Sequence, residues 1–220
     1  GIPARQCYTP RWVHTDDNHA WVEAWVDGKW HYIGACEPDA ELDVAWFSAP
    51  VKRAMMIHTN VFGLYNGPEE KNIQTDLYSV INLLPNYTET RNLKVKVTDE
   101  NGNPVEGATV RFNVYNYAEF YPIATSTTDK EGNTSVVTGR GDVFVWANKD
   151  YVYGYRKADR EDNELVVKLS DSKNIPHEER IIMNVPSEQP VKDLPAEKIA
   201  ENTKRLAYED SIRNAYMNTF

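Results

Sequence analysis

From His19 to Val26 large side chains recur at every second position after His19, with Trp21 and Trp25 flanking Glu23. That period of two belongs to a strand that turns one face toward a core. Asp27-Gly28 follows, then a second short run from Lys29 to Cys36 containing Trp30, Tyr32 and Ile33. An Asp-Gly pair between two such runs predicts a two-residue hairpin with a type I′ turn. Upstream, Ala4 to Val13 reads as a further strand. The pattern weakens from Trp46 to Val61, where Pro50 is placed to open a short helix through Arg53 and Met56. Asn66-Gly67-Pro68 with Glu69-Glu70-Lys71 is a polar break, and a first boundary falls near it.

Beyond Leu77 short runs rich in Val, Thr, Tyr and Phe recur at Leu93 to Val97, Thr109 to Tyr115, Ser135 to Thr138, Val143 to Ala147 and Leu165 to Leu169. Between them stand Asp99-Glu100-Asn101-Gly102-Asn103-Pro104, Asp129-Lys130-Glu131-Gly132-Asn133 and Gly139-Arg140-Gly141-Asp142. Short strands separated by such turns predict an antiparallel β-sandwich. A polar stretch punctuated by Pro176, Pro186, Pro190 and Pro195 reads as a linker. From Ala196 to about Asn218, Ala, Glu, Lys and Arg dominate and Ile199, Leu206 and Ile212 form a thin apolar stripe, the mark of a terminal helix. The fold expected is mainly β: a partial core over 1–72, a sandwich over 77–170, a linker over 171–195 and a helix over 196–218.

Composition narrows what such a chain can do. With 41% apolar and 26% charged residues in 220, it is globular, with room for one large domain or two small ones. No run of about 18 apolar residues occurs, so no transmembrane segment is expected. Lys and Arg number 24 against 33 Asp and Glu, a net charge of -9, and no basic cluster is present to neutralise phosphates, so nucleic acid is not an expected partner. Both cysteines, Cys7 and Cys36, four of the five histidines and five of the six tryptophans precede Asn72, which is where chemistry should be concentrated. Two cysteines exclude a disulfide-rich scaffold and a four-cysteine zinc site. Gly1-Ile2-Pro3 reads like the interior of a longer protein, and a fragment is expected.

If Asp27 and Gly28 form the hairpin loop, paired residue numbers sum to 55 and His19 faces Cys36, with Trp21, Glu23, Tyr32 and Gly34 on the same face. A bulge at Gly34-Ala35 would bring Glu37 round to His19. A carboxylate beside a histidine fixes the imidazole tautomer for general base work.

Gly1-Ile2-Pro3-Ala4-Arg5, then Asn18-His19-Ala20-Trp21-Val22-Glu23-Ala24-Trp25-Val26, then Asp27-Gly28-Lys29-Trp30-His31-Tyr32 together resemble the core of the transglutaminase-like superfamily, a papain-like α+β fold. The resemblance implies an acyl-transfer centre in which a cysteine attacks an amide, a histidine acts as base and an aspartate orients it. His19 stands at the histidine. Gly34 occupies the place of the orienting aspartate, leaving Glu37 as its substitute and Asp39 behind it. The family's nucleophile lies on a helix ahead of the Gly-Ile-Pro-Ala-Arg run, so neither Cys7 nor Cys36 takes that role, and the chain alone is expected to be inactive. Trp12 and Trp21 are the candidates for lining a substrate cleft. Cys36 reads first as a small buried hydrophobe, with a displaced nucleophile or a disulfide to Cys7 as alternatives. His14 beside Asp16 and Asp17 reads as a solvated acidic loop rather than a metal site, His31 as structural or exposed, and Arg53 to His58 as a packing segment.

Leu93 to Asp99, Gly102-Asn103-Pro104-Val105-Glu106-Gly107-Ala108-Thr109-Val110 and Thr128 to Thr134 resemble the carboxypeptidase-regulatory-like or transthyretin-like sandwich of bacterial surface proteins. The two resemblances imply a secreted, periplasmic or cell-surface protein that acts on a peptide or protein amide with no cofactor and no metal. The alternative is a non-catalytic binding or scaffolding protein of the bacterial envelope with a decayed core.

Overall fold

The computed structural model describes residues 1–34, 38–170 and 178–219. In chain order its elements are β1 (Ala4–Thr9), β2 (His19–Val26), β3 (Lys29–Ile33), α1 (Ser48–Val51), β4 (His58–Phe62), β5 (Lys71–Gln74) and β6 (Tyr78–Asn82). A single 3₁₀ turn at Leu84–Asn86 leads into β7 (Thr90–Thr98), β8 (Thr109–Asn116), β9 (Glu119–Thr127) and β10 (Asn133–Gly139). The last elements are β11 (Val143–Lys149), β12 (Val152–Ala158), β13 (Glu164–Lys168) and α2 (Ala196–Met217). The fold is mainly β with antiparallel sheets and a C-terminal helix. Two compact units are formed from discontinuous segments.

The first unit comprises Gly1–Arg5, Trp21–Ser48 and Pro190–Phe220. Its β2 and β3 pair antiparallel from Val26 opposite Lys29 to Val22 opposite Ile33, the register the Asp-Gly loop predicts. Asp27 and Gly28 both take positive φ, 49° and 82°, as a type I′ turn requires. Trp25 and Trp30 lie directly opposite each other in edge-to-face contact at 5.3 Å. Arg5 lays its guanidinium 4.1 Å from the Trp30 ring and pairs with the buried Glu23 carboxylate at 2.5 Å. Glu23 thus tolerates burial because a cation meets it. Trp21 is buried against Phe47, whereas Trp25 and Trp46 are largely exposed. Helix α2 follows its N-cap Pro195, with Glu197 in its first turn where a negative charge suits the helix dipole. Its expected thin stripe is thinner still, since Ile199 and Ile212 are exposed and Asn202 is its one buried residue among those described.

The second unit, Gln6–Ala20 and Ala49–Gln189, contains the sandwich. A three-stranded sheet in the order β10-β7-β13 faces a four-stranded sheet in the order β12-β11-β8-β9. Among the described residues the strands of the two sheets pair antiparallel except β13 with β7, which run parallel. The alternating residues Leu93, Val95 and Val97 of β7 and Val110, Phe112 and Val114 of β8 supply the inner faces. Met55 and Met56 join that core, and the Met55 carbonyl accepts hydrogen bonds from Thr138 Oγ1 (2.8 Å) and Gly139 N–H (3.3 Å). The helix expected to run from Pro50 to Met56 is limited to α1 for this reason, because the following residues are extended to pack on the sandwich.

Two turns repeat one device. Asp99 Oδ1 accepts the N–H groups of Asn101 and Asn103, both at 2.8 Å, and Asp129 Oδ1 accepts those of Glu131 (3.0 Å) and Asn133 (2.8 Å). Gly102 and Gly132 supply the positive φ between them. Strands β9 and β12 have no such signal in the sequence. Their hairpins turn through Tyr117-Ala118 and Asp150-Tyr151, four non-glycine residues all at positive φ. A further antiparallel set in the order β4-β6-β5 completes the unit, with Tyr8 of β1 opposite His58 of β4.

Residues 178–195 carry no regular structure, yet part of this stretch is tied down. The buried Asp142 carboxylate accepts the N–H and Nδ2 of Asn184, both at 2.8 Å, the N–H of Arg160 at 2.9 Å and Lys157 Nζ at 3.1 Å. Burial pushes the Asp142 pKa up, but hydrogen bonds from Asn184 and Lys157 outweigh it and hold the carboxyl below its ordinary value. Arg53 donates to the Pro186 carbonyl at 3.1 Å and pairs with Glu188.

Candidate functional site

His19 opens β2 and is half-buried. Its ring lies nearly parallel to the buried indole of Trp12, with centroids 6.5 Å apart and planes at 22°. A second imidazole near that indole is His14, at 5.5 Å. The loop carrying Trp12 and His14 leads from β1 to β2, and backbone hydrogen bonds from Trp12 N–H to Asp17 and from Asp17 N–H to Thr15 close it on itself. Asn116, buried at the end of β8, donates Nδ2 to the carbonyls of Trp12 (2.7 Å) and Thr15 (2.8 Å). Asp16 accepts the N–H of Tyr117 at 2.8 Å. One buried amide and one carboxylate thereby hold the loop whose indole backs the His19 ring.

The acidic loop is accounted for by this anchoring. Asp16 and Asp17 are exposed and act as hydrogen-bond acceptors, and no group able to hold a metal ion exists among the described residues. Burial, with the nearby Arg53 cation second, lowers the His14 pKa and favours the neutral ring. Cys7 is fully buried in β1. Of the residues singled out from the sequence, Trp12 and His19 are brought together. Trp21 packs on Phe47 in the other unit. Glu37, Cys36 and the proposed disulfide to Cys7 lie outside the described residues.

Sequence reasoning missed one pair. His31 Nδ1 lies 2.6 Å from Asp43 Oδ2, while Asp43 Oδ1 accepts the N–H of Tyr32 at 3.0 Å. The Asp43 carbonyl accepts the Tyr32 hydroxyl at 2.6 Å. Asp43 sits at φ 62°, so its loop curls back on β3 to make these bonds. A carboxylate on Nδ1 fixes the tautomer of His31 just as a catalytic orienter would. Ser48, the nearest hydroxyl in this network, is engaged with Tyr32 and with Ala45 N–H, so the network builds a loop rather than an activated nucleophile. No spacing rule points from His31 to a residue 12 positions later, and only the conformation of the loop joins them.

Comparison with known families matches residues 78–140 to the bacterial Ig-like domain (group 1) and detects no transglutaminase-like family. The matched segment runs from β6 through β10 and covers the first half of the sandwich. No curated protein matches the chain.

Proposed function

We propose that this chain contributes the histidine of a cysteine-dependent acyl-transfer centre that cleaves or transfers a peptide amide. What supports the reading is the setting of one imidazole: His19 stands at the motif position of a transglutaminase-like base, with its ring nearly parallel to the buried Trp12 indole at 6.5 Å. A base must be held in orientation before it can accept a proton from a thiol, and a buried aromatic wall on an anchored loop does this with little entropy left to lose. Glu37 is the orienting carboxylate in this reading. The thiolate comes from a helix ahead of the Gly-Ile-Pro-Ala-Arg run, as the resemblance implies. The thiol of Cys7 is too deeply buried to serve. The sandwich, whether of carboxypeptidase-regulatory-like or Ig-like kind, acts as a spacer that presents the centre at a bacterial surface.

The test compares two polypeptides on a peptide anilide. This chain alone should show no thiol-dependent hydrolysis, and Cys7→Ser should change nothing. A polypeptide extended upstream through a cysteine-bearing helix should hydrolyse the anilide, and His19→Ala should lower kcat by about a thousandfold. Activity of this chain alone that vanishes in Cys7→Ser would sink the assignment, as would an extended polypeptide indifferent to His19→Ala.

A second reading has its own support. The Ig-like match, with Gly34 at the orienting position, favours a non-catalytic envelope scaffold. Inactivity of the extended polypeptide would select it.

A further inference from the structure

The outer face of the four-stranded sheet should be polar, since antiparallel sheets usually expose one face to water. Here it is aromatic. Tyr115, Phe120, Phe144, Trp146, Tyr153 and Tyr155 alternate outward from the strands whose inner residues fill the sandwich core. Phe120 packs parallel to Phe144 at 4.2 Å, and Trp146 lies at 6° to both Tyr153 (4.7 Å) and Tyr155 (5.9 Å). Two rings lying side by side in one plane cannot bring their centroids closer than about 6 Å, given a carbon contact distance of about 3.5 Å and the ring radii. The close pairs therefore stand on edge, one against the next. A groove of about 650 Å³ runs over Phe120, Phe144, Trp146 and Tyr155 of this row.

Three polar groups face that groove with hydrogen-bonding capacity left over. Asn113 is 4% exposed, and its Nδ2 is spent on the carbonyls of Arg111 and Phe144, leaving Oδ1 with no donor among the described residues. A bulge in the pairing of β8 with β9, where Asn113 meets Pro122, sets its position. Arg111 makes no ion pair among the described residues, and no acceptor for the Trp146 indole N–H is found among them. Along one side runs a stretch of the chain itself that carries no regular structure. Glu179 accepts the Tyr155 hydroxyl at 2.8 Å, the Ile182 carbonyl accepts Lys157 Nζ at 3.1 Å, and Ile181 lines the groove.

We infer that this groove is a docking site for an extended, acidic peptide rich in proline and aliphatic residues. Rings stacked against one another present ridges, and the faces they turn toward each other are closed to a sugar, which packs on a ring face. Proline or isoleucine side chains fit between ridges, as in the aromatic grooves that recognise extended peptides. Backbone N–H and C=O groups of such a peptide answer the Asn113 acceptor and the Trp146 donor, and a carboxylate answers Arg111. The neighbouring stretch from Glu179 to Ile182 already lies along this face, with Glu179 on the Tyr155 hydroxyl and Ile181 in the groove lining.

Fluorescence anisotropy on the full chain tests the assignment. The probes are a labelled peptide of roughly twelve residues rich in Pro, Ile and Glu, its counterpart with Lys for Glu, and cellohexaose as competitor. The acidic peptide should bind saturably. Arg111→Glu should weaken it by about tenfold or more and shift preference toward the Lys peptide. Phe120→Ser should also weaken it. Both positions are exposed, so the fold should survive either change. Absence of saturable peptide binding, equal affinity in Arg111→Glu, or displacement by cellohexaose would each overturn the assignment.

Discussion

His58 shows how one buried side chain sets a pH limit. It is 7% exposed, Asn72 Nδ2 donates to its Nε2 at 2.7 Å, and Tyr8 meets its ring edge-on at 5.6 Å. Burial lowers its pKa from 6.5 to about 4. A proton on Nε2 would both bury a charge and break the Asn72 bond. Between about pH 6.5 and 4 the unfolded chain binds a proton that the folded chain refuses, so stability falls as pH falls through that window. At about 1.4 kcal/mol per unit the loss approaches about 3 kcal/mol. Thermal melts from pH 7 to 4.5 should show it, and His58→Gln should flatten the slope. Gly154 makes the same point sterically, since a Cβ there would lie 2.1 Å from the Lys168 carbonyl oxygen. Gly154→Ala should cost about 2 kcal/mol or more in urea denaturation, because backbone cannot move aside as a flexible side chain can.

At the scale of elements, the β2-β3 hairpin and α2 were legible because local signals agree with tertiary placement. Asp27-Gly28 demands one turn type and one register, and α2 begins just after Pro195. Gly28→Ala should destabilise by about 1 kcal/mol, read from the urea midpoint, because φ 82° strains any residue with a Cβ. Strands β9 and β12 were hidden by turns without glycine, whose left-handed residues are held by pairing on either side rather than by their own preference. The stretch near Asn184 reads as linker because its composition is polar, yet Asp142 gathers its donors. Asp142→Ala removes the acceptor that these donors share and should cost about 2 kcal/mol. Limited proteolysis should then cut within 178–189 faster than it does in the parent chain.

For the whole molecule, the sandwich core reaches beyond the strands that define it. Met55 and Met56 are fully buried in it, so a polypeptide spanning 77–170 should melt well below one spanning 49–189. Equal melting temperatures would mean that the methionines fill no essential space. The sequence by itself determined the mainly β class, the hairpin and its register, the sandwich with its Asp-Gly turns and the terminal helix, because each follows from periodicity and turn chemistry acting within a few residues. The candidate base His19 was also visible, through its motif. Only the tertiary structure decided that Trp12 backs that imidazole, that Asn116 anchors their loop from about a hundred positions away, that Asp43 holds His31, and that six aromatic rings share one outer face. Such contacts join residues far apart in the chain or on different strands, where no local pattern constrains the pairing and packing alone selects it.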